Sequence, residues 1–155
     1  NASISNGEIV YHKKINIGLA VAARKGLLVP VIRNCEKINF EGLCEMVNKT
    51  TIKAREEKTS ADDLQGSTFS ITNFGVFDNL IGTPIINQPN AAILGVGAVT
   101  KRPVVIETAK GDSIAIRSMV YLTLGFDHRL IDGAAGGRFL QQVAWHLENF
   151  TTDTG

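Results

Sequence analysis

Helical spacing of apolar residues extends over only two long stretches of the chain, and this limits how much helix its fold can contain. From Phe40 onward, apolar side chains recur every three or four residues, and Asn39 is placed to cap the first turn. We predict a helix over residues 40–58. A second amphipathic stretch, residues 133–150, carries one apolar stripe and follows Asp132, which also suits an N-cap.

Most of the other apolar segments are rich in β-branched residues and are predicted to be strands. These segments are residues 10–23, 27–32, 67–74, 91–105 and 114–126. Glycine-containing turns at residues 24–26 and 110–112 predict that the first two and the last two strands form hairpins. Residues 75–90 are expected to be irregular. Without an internal repeat or a low-complexity linker, residues 1–155 are predicted to form one α+β domain of mostly antiparallel strands and two long helices.

Charge and composition exclude several classes of function. Sixteen basic and fifteen acidic residues leave a formal net charge of +1, too small for binding to a nucleic-acid backbone. The longest apolar run, residues 91–99, contains two glycines, and a membrane-spanning helix needs about 20 apolar residues. Cys35 and Cys44 form no C-x-x-C pair, and the three histidines lack metal-binding spacing. We therefore predict a soluble protein without a nucleic-acid partner, a membrane partner or a metal site.

Residues 125–133, GFDHRLIDG, place His128 at the end of an apolar strand and four residues before Asp132 at a helix start. A neutral imidazole has a pKa of about 6.5 and can accept a proton from a thiol or a hydroxyl near neutral pH. A carboxylate held at the helix start can shape the pocket around that imidazole. The plainer alternative is a polar strand end, in which Asp127 and Arg129 form ion pairs and Asp132 is only a cap. Local spacing leaves both interpretations open.

The segment DHRLIDG at residues 127–133 also fits the signature D-H-R-x-x-D-G. In this segment the chain resembles the catalytic domain of the dihydrolipoyl acyltransferases, the core components of 2-oxo acid dehydrogenase complexes. Further ordered segments extend the resemblance over nearly the whole chain: NIGLAV at 16–21, GLLVPVI at 26–32, FSITNFG at 69–75, TPIIN at 83–87 and AILGVG at 92–97. Ordered matches of this kind are highly specific.

The resemblance implies a chloramphenicol-acetyltransferase-like fold, a mixed sheet flanked by helices, in trimers that build a larger shell. It implies that His128 is the general base that takes the proton of the coenzyme A thiol. Thr72 matches the family's Ser or Thr donor to the oxyanion, and Asp132 would order the surroundings of His128. In the family, the hydroxyl and the histidine meet across a subunit boundary. Without the resemblance, Thr72 would be a strand residue whose hydroxyl bonds to the backbone.

Substrates and partners follow from the same resemblance. It implies coenzyme A as a substrate, a lipoyl group carried on a separate domain, and decarboxylase and dihydrolipoyl dehydrogenase subunits as partners. Ala22 stands where relatives often have an acid associated with the coenzyme A site. Lys101 and Arg102 are candidates to bind the coenzyme's phosphates, and a solvated surface pair is the alternative.

In the family, the catalytic domain begins upstream of the position of Asn1. We therefore expect the chain to hold the C-terminal portion of that domain, without its N-terminal part and without the lipoyl and subunit-binding domains. The expected compartment is the bacterial cytoplasm or the mitochondrial matrix, with the cytoplasm preferred. The acyl group stays open between acetyl, succinyl and branched-chain, because residues 75–87 look like succinyl-transferring members and residues 134–139 look like the others.

Two other functions remain to be tested. The first is a non-catalytic scaffold that forms trimers and performs no chemistry. The second keeps the fold but uses a free acceptor, as chloramphenicol acetyltransferases do. Those relatives usually read H-H-x-x-x-D-G, so Asp127 directly before His128 favours the lipoyl-linked branch.

Overall fold

The computed structural model of the protein describes residues 1–24 and 26–151, and a five-stranded sheet lies at its centre. The strands are β1 (Ala2–Ser5), β2 (Glu8–Tyr11), β3 (Ile17–Leu19), β4 (Val21–Ala23), β5 (Gly26–Leu28), β6 (Val31–Ile32), β7 (Phe69–Asn73), β8 (Ala92–Val96), β9 (Thr100–Thr108), β10 (Gly111–Met119) and β11 (Leu122–Phe126). The two long helices are α1 (Phe40–Arg55) and α2 (Gly133–Glu148). Lys25, in the predicted turn of the first hairpin, lies outside the described residues.

The central sheet has the strand order β11–β8–β7–β3–β6. Strands β3, β7 and β8 run parallel to one another, while β11 and β6 are antiparallel to their neighbours at the two edges. Antiparallel ribbons β1–β2, β4–β5 and β9–β10 extend from this sheet. The α+β prediction with a mixed, mostly antiparallel sheet and flanking helices is therefore confirmed.

The prediction of one long strand over residues 10–23 is wrong. The chain leaves the β1–β2 ribbon after Tyr11 and re-enters β-structure only at Ile17. Asn16 explains the break, because its side chain donates to the Gly66 carbonyl and accepts from the Asn34 backbone N–H. These bonds anchor the segment to distant parts of the chain instead of extending the strand.

The predicted strand over residues 27–32 is also divided, into β5 and β6. The interruption contains Pro30, which has no N–H to donate to a strand partner. Its carbonyl still accepts from the Leu19 backbone N–H at 2.9 Å. The two halves therefore pair with different strands, β5 with β4 and β6 with β3.

The predicted strands over residues 91–105 and 114–126 are each interrupted once. At the interruption, the Gly97 N–H donates to the Tyr121 carbonyl and the Ala98 N–H donates to the Asn79 carbonyl, both at 2.9 Å. These bonds separate the paired strands β8 and β11 of the central sheet from the β9–β10 hairpin. The predicted hairpin is confirmed, with its turn at residues 109–110 instead of 110–112.

Both predicted helices form, and both caps are confirmed. The Asn39 carboxamide oxygen accepts from the Gly42 N–H at 3.0 Å, and the Asp132 carboxylate accepts from the Ala135 N–H at 2.6 Å. Helix α1 ends at Arg55, earlier than the predicted Lys58, because Glu57 adopts a left-handed conformation with φ of 57°. Helix α2 ends two residues before the predicted Phe150.

The segment of residues 75–90 lies against the central sheet and depends on Gly97 for its close approach. A Cβ atom at Gly97 would overlap the carbonyl oxygen of Leu80. Beneath this segment, β8 is the most buried strand, with Ile93 and Leu94 in the core. Within the described residues, no helix is long and apolar enough to cross a bilayer.

Candidate active site

The residues that follow β11 form a tight turn held by Asp127. Its carboxylate accepts from the Arg129 backbone N–H at 3.0 Å and from the Arg129 guanidinium at 2.6 Å. Its carbonyl accepts from the N–H groups of Leu130 and Ile131. The Arg129 guanidinium lowers the pKa of the Asp127 carboxyl to about 2. The ion pair expected from local spacing is thus present, and it fixes the turn that carries His128.

His128 lies on the surface at the first position of this turn, directly beyond the end of the central sheet. Its ring centre is 5.6 Å from that of Phe126, with the planes tilted by 44°. Phe126 in turn contacts α2 where Gly136 has no side chain, since a Cβ there would lie 2.8 Å from the Phe126 ring. In the described part of the chain, no protein group forms a hydrogen bond with the imidazole. It is therefore positioned by packing and remains accessible to a ligand.

Asp132 lies at the exposed start of α2, four residues after His128. Its carboxylate bonds to the Ala135 N–H, as an N-cap does. This contact fixes the carboxylate at the start of α2, four residues after His128. The cap predicted by the plainer interpretation is present, and a role in ordering the surroundings of His128 is compatible with it.

Thr72 lies on β7, in register with Gly95 of β8 and, across β8, with Thr123 of β11. It is half-buried. Among the described residues, no backbone or side-chain group is hydrogen-bonded to its hydroxyl, so the expectation of a hydroxyl satisfied by the backbone is wrong. The hydroxyl is free to donate to a ligand.

One chain does not bring Thr72 and His128 together. Thr72 is level with Thr123 of β11, and β8 lies between the two strands. Phe126 follows Thr123 by three residues along β11. At about 4.8 Å per strand and 3.3 Å per residue, the Cα atoms of Thr72 and Phe126 are about 14 Å apart. His128 is two residues further on. Within one chain the two residues therefore lie at separate places, Thr72 on an inner strand and His128 beyond an edge strand.

The candidate phosphate-binding residues lie at the base of the β9–β10 hairpin. Lys101 is exposed. The Arg102 guanidinium donates to the Tyr121 hydroxyl at 3.0 Å and lies 5.3 Å from the centre of its ring. Arg117 is the cross-strand partner of Arg102, so the two side chains begin on the same face of the hairpin, and the Arg117 guanidinium donates to the Ile116 carbonyl at 3.1 Å.

The cysteines lie elsewhere: Cys35 is half-buried and bonds to the Ile32 carbonyl, and Cys44 is exposed on α1. Burial raises the pKa of the Cys35 thiol. Within residues 1–24 and 26–151, no three His, Cys, Asp or Glu side chains are grouped so that they could hold a metal ion.

The central sheet thus has an accessible histidine beyond one edge strand and an unbonded threonine hydroxyl on an inner strand. The family model described as "2-oxoacid dehydrogenases acyltransferase (catalytic domain)" matches residues 1–153. The chain belongs to this family, and the resemblance inferred from its motifs is confirmed.

Two curated relatives show how much of a longer protein the chain matches. It is 42% identical to the dihydrolipoyllysine-residue succinyltransferase component of the 2-oxoglutarate dehydrogenase complex of Haemophilus influenzae, over 97% of this chain and 36% of the relative. It is 44% identical to the mitochondrial protein of that name from Bos taurus, over 92% of this chain and 30% of the relative. The chain spans about a third of the length of these relatives.

Solved structures share the fold. A probable dihydrolipoamide acetyltransferase of Listeria monocytogenes matches with a TM-score of 0.91 and 38% identity, over 99% of this chain and 64% of that one. The dihydrolipoamide acetyltransferase of Azotobacter vinelandii matches with a TM-score of 0.88 and 37% identity, over 96% of this chain and 60% of that one. The description of the latter structure concerns the roles of a serine, a histidine and an asparagine in its catalytic mechanism, with the asparagine four residues after the histidine.

Proposed function

We propose that the protein transfers an acyl group from a dihydrolipoyl thioester to coenzyme A, with His128, Asp132 and Thr72 as its catalytic residues. The accessible, unbonded His128 four residues before a fixed Asp132 is the observation that carries the proposal. The Azotobacter acetyltransferase has the same spacing between the histidine and the asparagine named for its mechanism. Its serine lies 52 residues before that histidine, and Thr72 lies 56 residues before His128.

The chemistry follows from these groups. A thiol with a pKa of about 8.5 is only a few per cent ionised at neutral pH, so a neighbouring base increases its reactivity. His128 takes the proton of the coenzyme A thiol, and the sulfur attacks the thioester carbonyl. Thr72 donates a hydrogen bond to the oxyanion of the tetrahedral intermediate. When the intermediate collapses, the carbon–sulfur bond to the dihydrolipoyl group breaks, and the leaving sulfur receives the proton from His128.

The separation of Thr72 from His128 supports a homotrimer that combines the two groups at each subunit boundary. The proposed partners are a lipoyl domain, a decarboxylase and a dihydrolipoyl dehydrogenase, around a shell built from such trimers. Bacterial and mitochondrial relatives support either a bacterial cytoplasm, which we prefer, or a mitochondrial matrix. We propose that the chain supplies the C-terminal portion of the catalytic domain.

Succinyl is the acyl group best supported, because the two curated relatives described above are succinyltransferase components. The two solved acetyltransferases described above are 38% and 37% identical to the chain, which is lower than the 42% and 44% of the succinyltransferase components. We therefore expect transfer from succinyl-dihydrolipoamide to be faster than transfer from the acetyl or isobutyryl thioester. Acylation of coenzyme A, followed with the three donors, measures this preference.

Lys101 and Arg102 are proposed to contact the coenzyme's phosphates. We expect the double substitution Lys101→Ala/Arg102→Ala to raise the KM for coenzyme A and to leave the KM for the acyl donor unchanged, because only coenzyme A carries phosphates. Tyr121→Phe removes the hydroxyl that Arg102 contacts and keeps the guanidinium, so it separates the phosphate role of Arg102 from its contact with Tyr121. An unchanged KM for coenzyme A in the double variant would remove these residues from the site.

The substitution His128→Ala tests the proposal against a purely structural scaffold. Exposed apolar side chains, such as Ile114 at 78%, favour assembly and keep the scaffold as a second candidate. We expect His128→Ala to lose transfer by at least about a hundredfold with assembly intact, because it removes the general base. His146→Ala on α2 is the control. Equal activity of the His128 variant and the wild type would leave only the scaffold.

A further inference from the structure

Asn90 carries a buried carboxamide that the proposed mechanism does not use. The residue is 4% exposed and precedes β8 by two positions. Its Nδ2 group donates to the Ser70 hydroxyl oxygen of β7 at 2.7 Å and to the Ser67 hydroxyl oxygen at 3.1 Å. Ser70 is fully buried, so the shorter bond lies inside the core. The side chain of Asn90 therefore ties the entrance of β8 to β7.

The buried carboxamide of Asn90 is better explained by position than by stability. Replacing both partners of a buried hydrogen bond by apolar groups of the same shape can be nearly neutral for the free energy of unfolding. A bonded polar group in the core nevertheless favours one arrangement of its neighbours, because any other arrangement leaves a buried donor unpaired. Asn90 ends the segment of residues 75–90, so its bonds fix the place where the chain enters the central sheet.

The residue after Asn90 holds the turn that carries His128. The Ala91 carbonyl accepts from the Asp127 N–H at 2.8 Å, just beyond the paired ends of β8 and β11. His128 follows Asp127 directly. One peptide unit and one hydrogen bond thus separate the anchored Asn90 from the residue before the histidine.

The turn also lies against the segment that Asn90 ends. Asn90 and Gln88 line one side of a cavity of about 70 Å³, and Asp127, Arg129 and Leu130 line the other. The two segments therefore face each other through their side chains as well as through the backbone bond. A shift of the entrance of β8 would move the turn with it.

We infer that Asn90 is a positioning residue for His128. Its bond to Ser70 fixes the Ala91 carbonyl, and this carbonyl fixes the Asp127 N–H and thus the place of the imidazole beyond the sheet. The ion pair within the turn gives the turn its shape, and Asn90 fixes the turn relative to β7. The inference rests on the proposed function, because the position of His128 affects transfer only if its imidazole acts as the base.

The kinetics of Asn90→Leu test the inference. Leucine keeps the branching of the side chain and removes both bonds, so we expect kcat to fall about tenfold while both KM values stay unchanged. A displacement of about 1 Å at a reacting group can cost about a hundredfold, and a smaller shift of the turn costs less. Thr68→Val is the matched control, because it removes another buried hydroxyl, one that bonds to the Asn16 backbone. We expect this control to keep the wild-type kcat.

Hydrogen exchange gives a readout that does not depend on activity. Peptides that cover residues 127–131 report the N–H groups of the turn, and mass spectrometry should find faster exchange there in Asn90→Leu than in the wild type. In Thr68→Val, the exchange of this segment should stay at the wild-type rate. If Asn90 served stability alone, both variants would instead speed exchange throughout the chain.

Ser70→Ala removes the shorter bond and leaves Asn90 in place, so it tests the inference even where Asn90→Leu does not fold. We expect the same two effects at a smaller size, and no further loss of kcat when both substitutions are combined. In whichever of the two variants folds, wild-type kcat or unchanged exchange of residues 127–131 overturns the inference, and so does a loss that Thr68→Val shares. A wild-type chain that transfers no acyl group instead overturns the proposed function, and the inference falls with it.

Discussion

The turn after β11 shows how one charged residue fixes the position of its neighbour. Asp127 bonds to both the backbone and the guanidinium of Arg129, and its carbonyl accepts two further N–H groups. His128 lies between these two residues and has no hydrogen bond of its own in the described chain. The ion pair thus keeps the backbone of the histidine in place while its ring stays available for proton transfer.

The pH dependence of this turn follows from the lowered pKa of Asp127. Its folded-state pKa of about 2 is below the ordinary value of about 3.9, so the ionised carboxylate stabilises the fold above about pH 4. This contribution is lost as the pH falls from about 4 to about 2. We expect Arg129→Gln to raise the pKa of Asp127 toward 3.9, measured by carboxyl NMR titration. Arg138→Gln is the control, and an Asp127 pKa that is the same in both variants would contradict the assignment.

At this scale, contacts between residues close in sequence could be predicted, and those between distant residues could not. The Asp127–Arg129 pair and the Asp132 cap follow from spacings of two and three residues. The position of Thr72 relative to His128 depends on the registers of β7 and β11 on β8. No local pattern in the sequence contains that information.

Asp132 has two roles at the start of helix α2: it caps the helix, and it is one of the candidate catalytic residues. Asn caps a helix about as well as Asp, whereas Ala removes the cap at a cost of about 1 kcal/mol in the free energy of unfolding. We expect Asp132→Asn to keep both stability and transfer activity, and Asp132→Ala to lose stability by that amount. Chemical denaturation and the transfer assay measure the two effects. A fully active Asp132→Ala variant would reduce Asp132 to a cap alone, and a stable but inactive Asp132→Asn variant would show that its charge is needed.

The helices were predicted more accurately than the strands because their signals are local. Asn39 and Asp132 mark the helix starts by capping bonds within three residues. The strand breaks depend on partners far along the chain, as Asn16 shows with its bonds to Gly66 and Asn34. Sequence reasoning therefore identified the β-rich segments and the hairpin at Gly111, but joined strands that the fold separates.

The whole chain leaves much apolar surface exposed, which is consistent with a protein that functions as an assembly. On the β9–β10 hairpin, Val105, Ile114 and Ile116 are 64%, 78% and 70% exposed on one face. A groove of about 590 Å³ between β11 and α2 includes Leu122, Leu140 and Leu147. Surfaces of this kind commonly mark protein–protein contacts. The overall fold class was predictable from sequence, whereas the distance between Thr72 and His128 depends on strand registers that no local pattern contains.

Mixing two inactive variants tests most directly whether copies of the chain share the site. Thr72→Ala retains His128, and His128→Ala retains Thr72, so each boundary that joins the two intact residues is active. When equal amounts mix at random into trimers, about half of the copies supply an intact His128 and about half supply an intact Thr72, so about one boundary in four has both. We therefore predict recovery of about a quarter of wild-type transfer activity. Each variant alone is the control. Mixed assemblies that stay as inactive as the separate variants would contradict a site shared between copies.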